Sequence, residues 1–479
     1  MASEIRVNKI ENRSGLGTVT FADTGVDLAG IVTATTFSGS GASLTALPAA
    51  TITGTLPAIS AANLTNVPAA NVVGVHTSLT VTNATTTGTA VVGGGVTISE
   101  SGIEASGIGI TCASFNGGQI SGRRNIIING DMRIAQRGTS STTAGYETVD
   151  RIETSVNDLD EIPTFAQVDV ASGTTPYTSG FRKAFKMTNG NQTGGAGTLD
   201  KSEVHYKIEA QDIACSGWNY TSSSSFITLS FWVKSSVAQN FFGHLKTTDN
   251  TAYNYPFETG SLSADTWTKV TKTIPGNSNL VFNNDNGIGL TILFYGFMGT
   301  ALTGSVSLDT WAAYVSSTRT PDQTSTWHTT NDATLEFTGL QLEVGSQATP
   351  FEHRRLSEEL HECQRYYCEL GRAVSGESGY VLFPLQAYNT SSVFGTLARL
   401  PNTMRSKPTC TLVGNITFSN KSGGNVYAPD SPVSVNQANK TYVGTGGATF
   451  STNHFIQGGC AVSYCTPDDS NYIKVDAEL

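Results

Sequence analysis

Residues 28–99 contain no lysine, arginine, aspartate or glutamate, although the chain of 479 residues has 28 Lys and Arg and 38 Asp and Glu. The stretch consists mainly of Thr, Ala, Gly, Ser, Val and Ile. It has no apolar run of about 18 residues, as a membrane span requires, and it lacks the high net charge of ordinary disorder. A globular domain would present charged side chains to water. We therefore expect this surface to lie mostly against other copies of itself, as in an oligomeric fibre.

The charge-free stretch also repeats, because residues 41–60 and 61–80 match at a shift of twenty positions. The matching pairs are Ala42/Ala62, Leu44/Leu64, Thr45/Thr65, Pro48/Pro68, Ala49/Ala69, Ala50/Ala70 and Gly54/Gly74. A fixed period is typical of an elongated array whose units cannot bury their own apolar face. Proline excludes a continuous helix and central strands, so we expect short extended segments. Three chains winding together would satisfy the backbone groups of such segments. The alternative is a flexible linker, but apolar residues such as Ile59 and Val72 favour a shaft.

The overall charge excludes some classes of function. The formal net charge is −10, so the chain has no basic field to hold nucleic acid. Residues 1–6 lack the apolar core of a secretory signal, so we expect synthesis and folding in a cytosol. Seven cysteines are too few, and odd in number, for a disulfide scaffold. The spacings of Cys363/Cys368 and Cys460/Cys465 suit a zinc knuckle poorly, so free thiols and no metal are expected.

The pattern changes at Arg123, where charge returns and strands with period-two alternation begin. In FITLSFWVKSS, Ile227, Leu229, Phe231 and Val233 share one face, and the more polar face carries Trp232. Further strands follow at sandwich-like spacing, which predicts one β-sandwich over residues 123–348.

One segment favours a helix. A T-x-x-E capping box at Thr349–Glu352 and the stop residue Gly371 predict a single helix over 349–371. Its apolar residues have the spacing of an a/d seam, which favours a trimeric, coiled-coil-like contact: Leu356, Leu360, Cys363, Tyr367 and Leu370. The alternative is a surface helix packed on its own sandwich. Beyond it, residues 372–479 return to β patterning.

Four pieces of the sequence carry a resemblance: EIRVNKIENRSGLGTVTFADTGVDLAGIVTAT, the run SGSGASLTALPAA to LTNVPAA, NIIINGDMRIAQRG with TVDRIE, and LEFTGLQLEVGSQATPFEHRRLSEELHECQRYY. RLPNTMRSKPTCTL and the final VDAEL add to it. Together they resemble bacteriophage tail fibre proteins, in particular those of cyanophages. The resemblance implies a homotrimer joined to a tail, neck or adaptor protein through its first residues. It also implies distal domains that contact host surface polysaccharide or lipopolysaccharide, without a cofactor.

The sequence patterns predict a mainly β, elongated fibre, and the resemblance implies that this fibre is a homotrimer located in the virion, on the phage tail, and assembled in the host cytoplasm. We expect no nucleic acid partner and no membrane insertion. The expected parts are a virion-attachment segment (1–27), an uncharged repeat shaft (28–122), a jelly-roll-like sandwich resembling carbohydrate-binding modules (123–348), a short helical bundle (349–371) and a β tip (372–479). Alternatives are a polysaccharide depolymerase tailspike, or a capsid- or baseplate-attached fibre that is not used for primary adsorption.

Glycan binding needs aromatic platforms beside hydrogen-bonding groups. The candidates are Trp218, Tyr220, Trp232, Tyr253, Tyr255 and Trp327, with Trp267 and Trp311 in a wider set. Glycan hydrolysis needs two carboxylates about 5–10 Å apart. Candidates are Asp150, Glu153, Glu203, Glu209, Asp309 and Glu336, but none forms a recognisable pair in the sequence, so we expect binding and no catalysis. Two turns offer hard oxygens for Ca²⁺, at 283–287 and 467–469, but plain turns are favoured.

Overall fold

The computed structural model describes residues 9–11, 18–23, 25–29, 31, 33, 90–92, 96–99, 102–105, 123–372, 381–393, 395, 397–414, 416–420, 426–430, 435–457, 459–465 and 471–479. The chain separates into two units, residues 1–108 and 109–479. The structure is mainly β with few helices, as the sequence predicts. Within the described residues, no helix is long and apolar enough to cross a membrane.

The described part of the first unit contains two antiparallel three-stranded sheets. Their strands are β1 (Lys9–Glu11), β2 (Thr18–Ala22) and β3 (Gly25–Ala29), then β4 (Ala90–Val92), β5 (Val96–Ser99) and β6 (Gly102–Ala105). Each strand pairs with the next one along the chain. The repeat of residues 41–80 lies outside the described residues, so its interwound structure stays a prediction.

The second unit begins with a sandwich of two six-stranded sheets. Its elements are β7 (Ser140–Ser141), β8 (Ile152–Asn157), β9 (Thr164–Asp169), α1 (Thr175–Thr178), β10 (Lys183–Thr188), β11 (Lys201–Glu209), α2 (Ala210–Ala214), β12 (Phe226–Ser235), β13 (Asn240–Thr247), β14 (Tyr253–Ser261), β15 (Thr268–Pro275), β16 (Ile288–Met298), β17 (Ala312–Ala313) and β18 (Thr334–Val344). The first sheet has the order β15-β12-β18-β10-β9-β7, and the second has the order β17-β14-β13-β16-β11-β8.

The sandwich core lies between the two sheets. Ile227, Leu229, Phe231 and Val233 of β12 are fully buried, which confirms the predicted apolar face of this strand. The ring of Phe231 meets that of Phe294 on β16 edge to face, at 4.9 Å between centroids. Alternate residues of β12 therefore point away from this core, and the outer face of the first sheet is left to other contacts.

The predicted helix over 349–371 is shorter than expected. Helix α3 spans Leu356–Cys363, and Tyr367–Leu370 forms strand β19. The capping box is absent because Thr349 donates to Glu343, whereas a Glu352 oxygen accepts backbone N–H groups from the start of the sandwich. Arg355 is the N-cap instead.

The five seam residues therefore do not form one helical stripe. Cys363 and Tyr367 are buried within this chain, Leu356 is exposed, and Leu360 and Leu370 are half-buried. Cys368 pairs with Val475, so the predicted last helical turn is a strand held by a distant part of the chain. The trimer itself stays a prediction.

A smaller β domain follows. Its further strands are β20 (Val381–Asn389), β21 (Ser392–Val393), β22 (Leu397–Arg399), β23 (Thr409–Val413), β24 (Ile416–Asn420), β25 (Val426–Tyr427), β26 (Val435–Ala438), β27 (Tyr442–Thr445), β28 (Ala448–Thr449), β29 (Cys460–Cys465) and β30 (Tyr472–Asp476). The sheets have the orders β19-β30-β23, β25-β24-β29-β20-β21-β28 and β22-β27-β26. A separate core that includes Met404, Phe418, Val443 and Ile473 holds them together.

Candidate glycan-binding cleft

The outer face of the first sheet carries two half-buried tryptophans. The register places Trp232 of β12 between Lys269 of β15 and Thr338 of β18. The second ring, Trp267, immediately precedes β15 and belongs to the same apolar cluster as Trp232. Period-two alternation thus turns Trp232 away from the core, while its neighbours Phe231 and Val233 fill that core.

Aromatic side chains from outside the sheet stand beside Trp232. Phe181 follows helix α1, and Phe351 and His353 precede helix α3. The ring of Phe181 lies 4.9 Å from Phe351 and 5.2 Å from His353, centroid to centroid. His353 Nε2 donates to the Ser179 carbonyl at 2.9 Å, which ties this wall to the end of α1.

Gly339 allows these aromatic groups to approach the sheet. It has φ +65°, and the register between β12 and β18 shifts beside it, as at a β-bulge. A Cβ at this position would lie 2.6 Å from the Phe181 ring and 3.1 Å from Cδ1 of Trp232. A side chain here would therefore be strained and would push the two rings apart.

The aromatic groups enclose a cleft of about 540 Å³. This volume lies within the range of about 300–1,000 Å³ that is usual for small-molecule sites. Its lining includes Phe181, Trp232 and Phe351, together with the polar side chains of Ser230, Lys269 and His353. Flat apolar rings next to hydroxyl and amino groups suit a ligand with one apolar face and many hydroxyl groups. We call this feature the aromatic cleft.

Two charged side chains lie on the same face of the sheet, two residues along β12 and β18 from the Trp232–Thr338 pair. Lys234 Nζ lies 3.0 Å from Glu336 Oε1 and 5.2 Å from the centre of the Trp267 ring. The ion pair holds the ammonium group near the indole, where a cation–π contact adds to its stability.

Of the six predicted ligand residues, Trp232 lines the aromatic cleft. Trp218, Tyr255 and Trp327 are buried core residues, and Tyr220 and Tyr253 pack against the same core. Trp218 Nε1 donates to the Ser225 carbonyl at 3.3 Å, and Trp327 Nε1 donates to the Thr334 carbonyl at 3.1 Å. Buried indoles usually find such partners. The sequence interpretation did not identify Phe181, Phe351 or His353, which no local pattern connects to Trp232.

The carboxylates considered for hydrolysis are engaged elsewhere. Glu203 lies between Lys201 Nζ at 2.8 Å, His205 Nε2 at 2.9 Å and Arg319 Nη1 at 3.0 Å. Burial alone would raise the pKa of Glu203, but the hydrogen bond from His205 and the nearby cations lower this pKa to about 2. His205 Nδ1 also binds Glu153 at 3.0 Å. Burial opposes the charge on the imidazole, yet its hydrogen bonds to both carboxylates raise the pKa of His205.

The other candidate carboxylates are likewise paired. Glu209 is fully buried and accepts hydrogen bonds from Arg365 at 2.8 and 3.0 Å and from the Tyr366 hydroxyl at 2.7 Å. Asp309 lies 3.5 Å from Lys272. Burial raises the pKa of Asp150 to about 6, against the hydrogen bonds from Gln136. Such partners stabilise structure and leave few oxygens free for a substrate.

One of the two turns considered for Ca²⁺ lies in the described part of the chain. In the turn at 283–287, the Gly287 N–H donates to Asp285 Oδ1 at 2.9 Å, as in a plain Asx turn. Residues 467–469 lie outside the described residues. Among the residues that are described, no three His, Cys, Asp or Glu side chains form a group that could hold a metal ion. Cys363 and Cys368 are free and buried, and burial raises the pKa of both thiols.

Comparisons with known proteins gave distant similarities. No protein-family model matches the sequence, and no curated protein shows significant sequence similarity. A putative sugar binding protein from Bacteroides thetaiotaomicron aligns over 46% of this chain and 99% of its own, with 12% identity and a TM-score of 0.24. A tandem pair of CBM22 domains from Paenibacillus barcinonensis aligns over 77% and 98%, with 9% identity and a TM-score of 0.23.

An enzymatically active domain of tailspike protein 4 from bacteriophage CBA120 aligns over 46% of this chain, with 8% identity and a TM-score of 0.23. The alignment covers 21% of that tailspike chain, about a fifth of its length. TM-scores this low do not define the fold or the function of the present chain.

Proposed function

We propose that the protein is a virion fibre that binds host-surface glycan through the aromatic cleft of its sandwich. The fibre would be a homotrimer on the phage tail, joined to a tail, neck or adaptor protein through residues 1–27 and assembled in the host cytoplasm. The charge-free repeat would hold the sandwich and tip away from the particle. Weak binding by three linked copies would then give a high overall avidity for the host surface.

The aromatic cleft is the observation that carries this proposal. The Trp232 ring forms the floor of the cleft. It occupies an outward-facing position of β12, where the period-two alternation predicts a polar residue. Two further rings, Phe181 and Phe351, stand beside it without filling the space above the sheet. Sugars bind proteins by placing their C–H faces on such rings while side chains bond their hydroxyl groups.

Binding is favoured over hydrolysis because of the carboxylates. Glu203 and Glu209 are buried and hold cations or a tyrosine hydroxyl. Glu336, on the face of the aromatic cleft, is paired with Lys234. A glycosidase needs one carboxylic acid and one carboxylate that both face the sugar, and none of these groups has that freedom. Incubation with host polysaccharide should therefore release no new reducing ends.

The test is glycan binding by full-length protein, measured by affinity electrophoresis against polysaccharides from host cells and by a glycan array. Removing the floor ring in Trp232→Ala should weaken binding about 30-fold, corresponding to a hot-spot loss of about 2 kcal/mol. Thermal unfolding should change little, because the indole is only half-buried.

The matched control is Tyr253→Ala, which removes a half-buried ring from the second sheet, and its affinity should equal that of the wild type. Equal affinity of wild type, Trp232→Ala and Tyr253→Ala would contradict the assignment of the aromatic cleft. Binding by none of the proteins to any saccharide would contradict glycan recognition by this chain.

A further inference from the structure

We infer that the aromatic cleft selects acidic glycans, which carry carboxylate or sulfate groups, over neutral ones. The inference rests on the proposed function and adds the chemical class of the ligand. It comes from the charges that the strand register brings to one face of the first sheet.

The first step is a row of charges across three neighbouring strands. Glu336 of β18 lies opposite Lys186 of β10 on one side and Lys234 of β12 on the other. Lys234 forms the ion pair at 3.0 Å. One carboxylate thus stands between two ammonium groups, and the row retains a net positive charge.

The second step concerns the aromatic cleft itself. Lys269 is exposed, lies directly opposite Trp232 and lines the cleft. No ion pair joins Lys269 to any described residue. His353 adds a second nitrogen-bearing side chain to the lining, and none of the described residues that line the cleft is an aspartate or a glutamate. An anionic group above Trp232 would therefore meet a cation without meeting a like charge.

The third step is the contrast with the rest of the chain, whose formal net charge is −10. A locally positive face on an acidic protein attracts anions over roughly one Debye length, about 8 Å at physiological salt. The same field would neither attract nor repel a neutral sugar, so it would not change the affinity for that sugar. Discrimination by charge therefore follows from the positions of Lys186, Lys234 and Lys269.

The experiment measures binding of full-length protein to matched polymers: polygalacturonate against its methyl ester, and dextran sulfate against dextran. We expect at least tenfold tighter binding to one acidic member than to its neutral partner, and loss of that preference as NaCl rises from 50 to 500 mM. Preference for polygalacturonate would assign a carboxylate ligand, and preference for dextran sulfate would assign a sulfate ester.

Two lysine variants separate a specific contact from general charge. Lys269→Gln should lower affinity for the preferred acidic polymer about fivefold and should reduce the preference for that polymer over its neutral partner, because glutamine can still bond hydroxyl groups but carries no charge. The control is Lys272→Gln. Lys272 lies on the same strand as Lys269 but is 3.5 Å from Asp309, so this variant should bind each polymer with the affinity of the wild type.

The outcomes distinguish the two proposals. Equal binding of acidic and neutral polymers, or equal affinities of Lys269→Gln and Lys272→Gln, would overturn the acidic-glycan inference and leave glycan binding standing. Binding to none of these polymers, with binding to none of the host polysaccharides, would overturn both.

Discussion

Replacing Glu478 by glutamine tests whether a buried ion pair joins the sandwich to the smaller β domain. Glu478 Oε2 binds Arg151 Nη1, and its Oε1 lies 3.3 Å from Arg137 Nη1. The side chains of Arg151 and Glu478 are 1% and 5% exposed. The Arg151 guanidinium also lies 3.5 Å from the centre of the Tyr366 ring and donates to the Lys207 carbonyl at 2.7 Å.

The expected loss follows from what remains around Arg151 in Glu478→Gln. Removing one partner of a buried ion pair costs about 3–5 kcal/mol, because the other charge stays buried without compensation. Glutamine retains one oxygen that accepts a hydrogen bond, so we expect the lower figure, about 3 kcal/mol. A large domain loses about 2 °C in Tm for each kcal/mol, and Tm should therefore fall by about 6 °C.

The assay is scanning calorimetry and urea unfolding of the full chain, with tryptophan fluorescence as a second probe. The matched control is Asp476→Asn. Asp476 ends strand β30, two residues before Glu478, and contacts the same Arg137 at 3.1 Å, but its side chain is 42% exposed. Exposed pairs contribute about 0–1 kcal/mol. If both variants lose the same free energy of unfolding, the ion pair does not connect the two domains as we argue.

Three further predictions concern pH, backbone strain and assembly. The raised pKa of His205 stabilises the fold below about pH 6.5, and this contribution is lost as pH rises through the folded-state pKa. The lowered pKa of Glu203 stabilises the fold above about pH 4.3, and this contribution is lost as pH falls towards about 2. In urea unfolding measured at a series of pH values, Glu203→Gln should therefore weaken the dependence of the free energy of unfolding on pH below about 4.3. Gly339→Ala should cost about 1–3 kcal/mol in calorimetry and weaken glycan binding, whereas Gly260→Ala, also at positive φ but with open space around it, should leave binding unchanged. Ile59→Glu should reduce trimers to 50.4 kDa monomers in mass photometry if the shaft is interwound, and unchanged trimers would support a linker.

The sequence predicts the sandwich strands well because their signal is local. In β12 the period-two alternation alone separates the buried Phe231 from the outward Trp232, and the structure confirms both faces. The same reasoning cannot rank isolated aromatic residues. Trp327 and Tyr255 carry large rings like that of Trp232, but they lie in the core because residues far away in the sequence pack around them.

The helix shows where local patterns fail. Residues 349–371 satisfy the spacing of an a/d seam, yet Tyr367–Leu370 pairs with strand Tyr472–Asp476, about a hundred residues further on. Tyrosine and β-branched partners favour a sheet once such a strand is available. Thr349 and Glu352 form no capping box because both side chains bind groups of the sandwich instead. Thr349 donates to Glu343, and Glu352 accepts from the Asn125 N–H.

The net charge of the sequence also misrepresents the surface on which recognition would depend. Many of its carboxylates do not face water: Glu203, Glu209 and Glu478 are buried and bound to arginine. Their charge is cancelled close by, so it contributes little to the field outside. Lys186 and Lys269 form no such pair with the described residues and stand on the face of the aromatic cleft. A chain that is acidic by composition can therefore present a cationic binding face, and only the strand register reveals it.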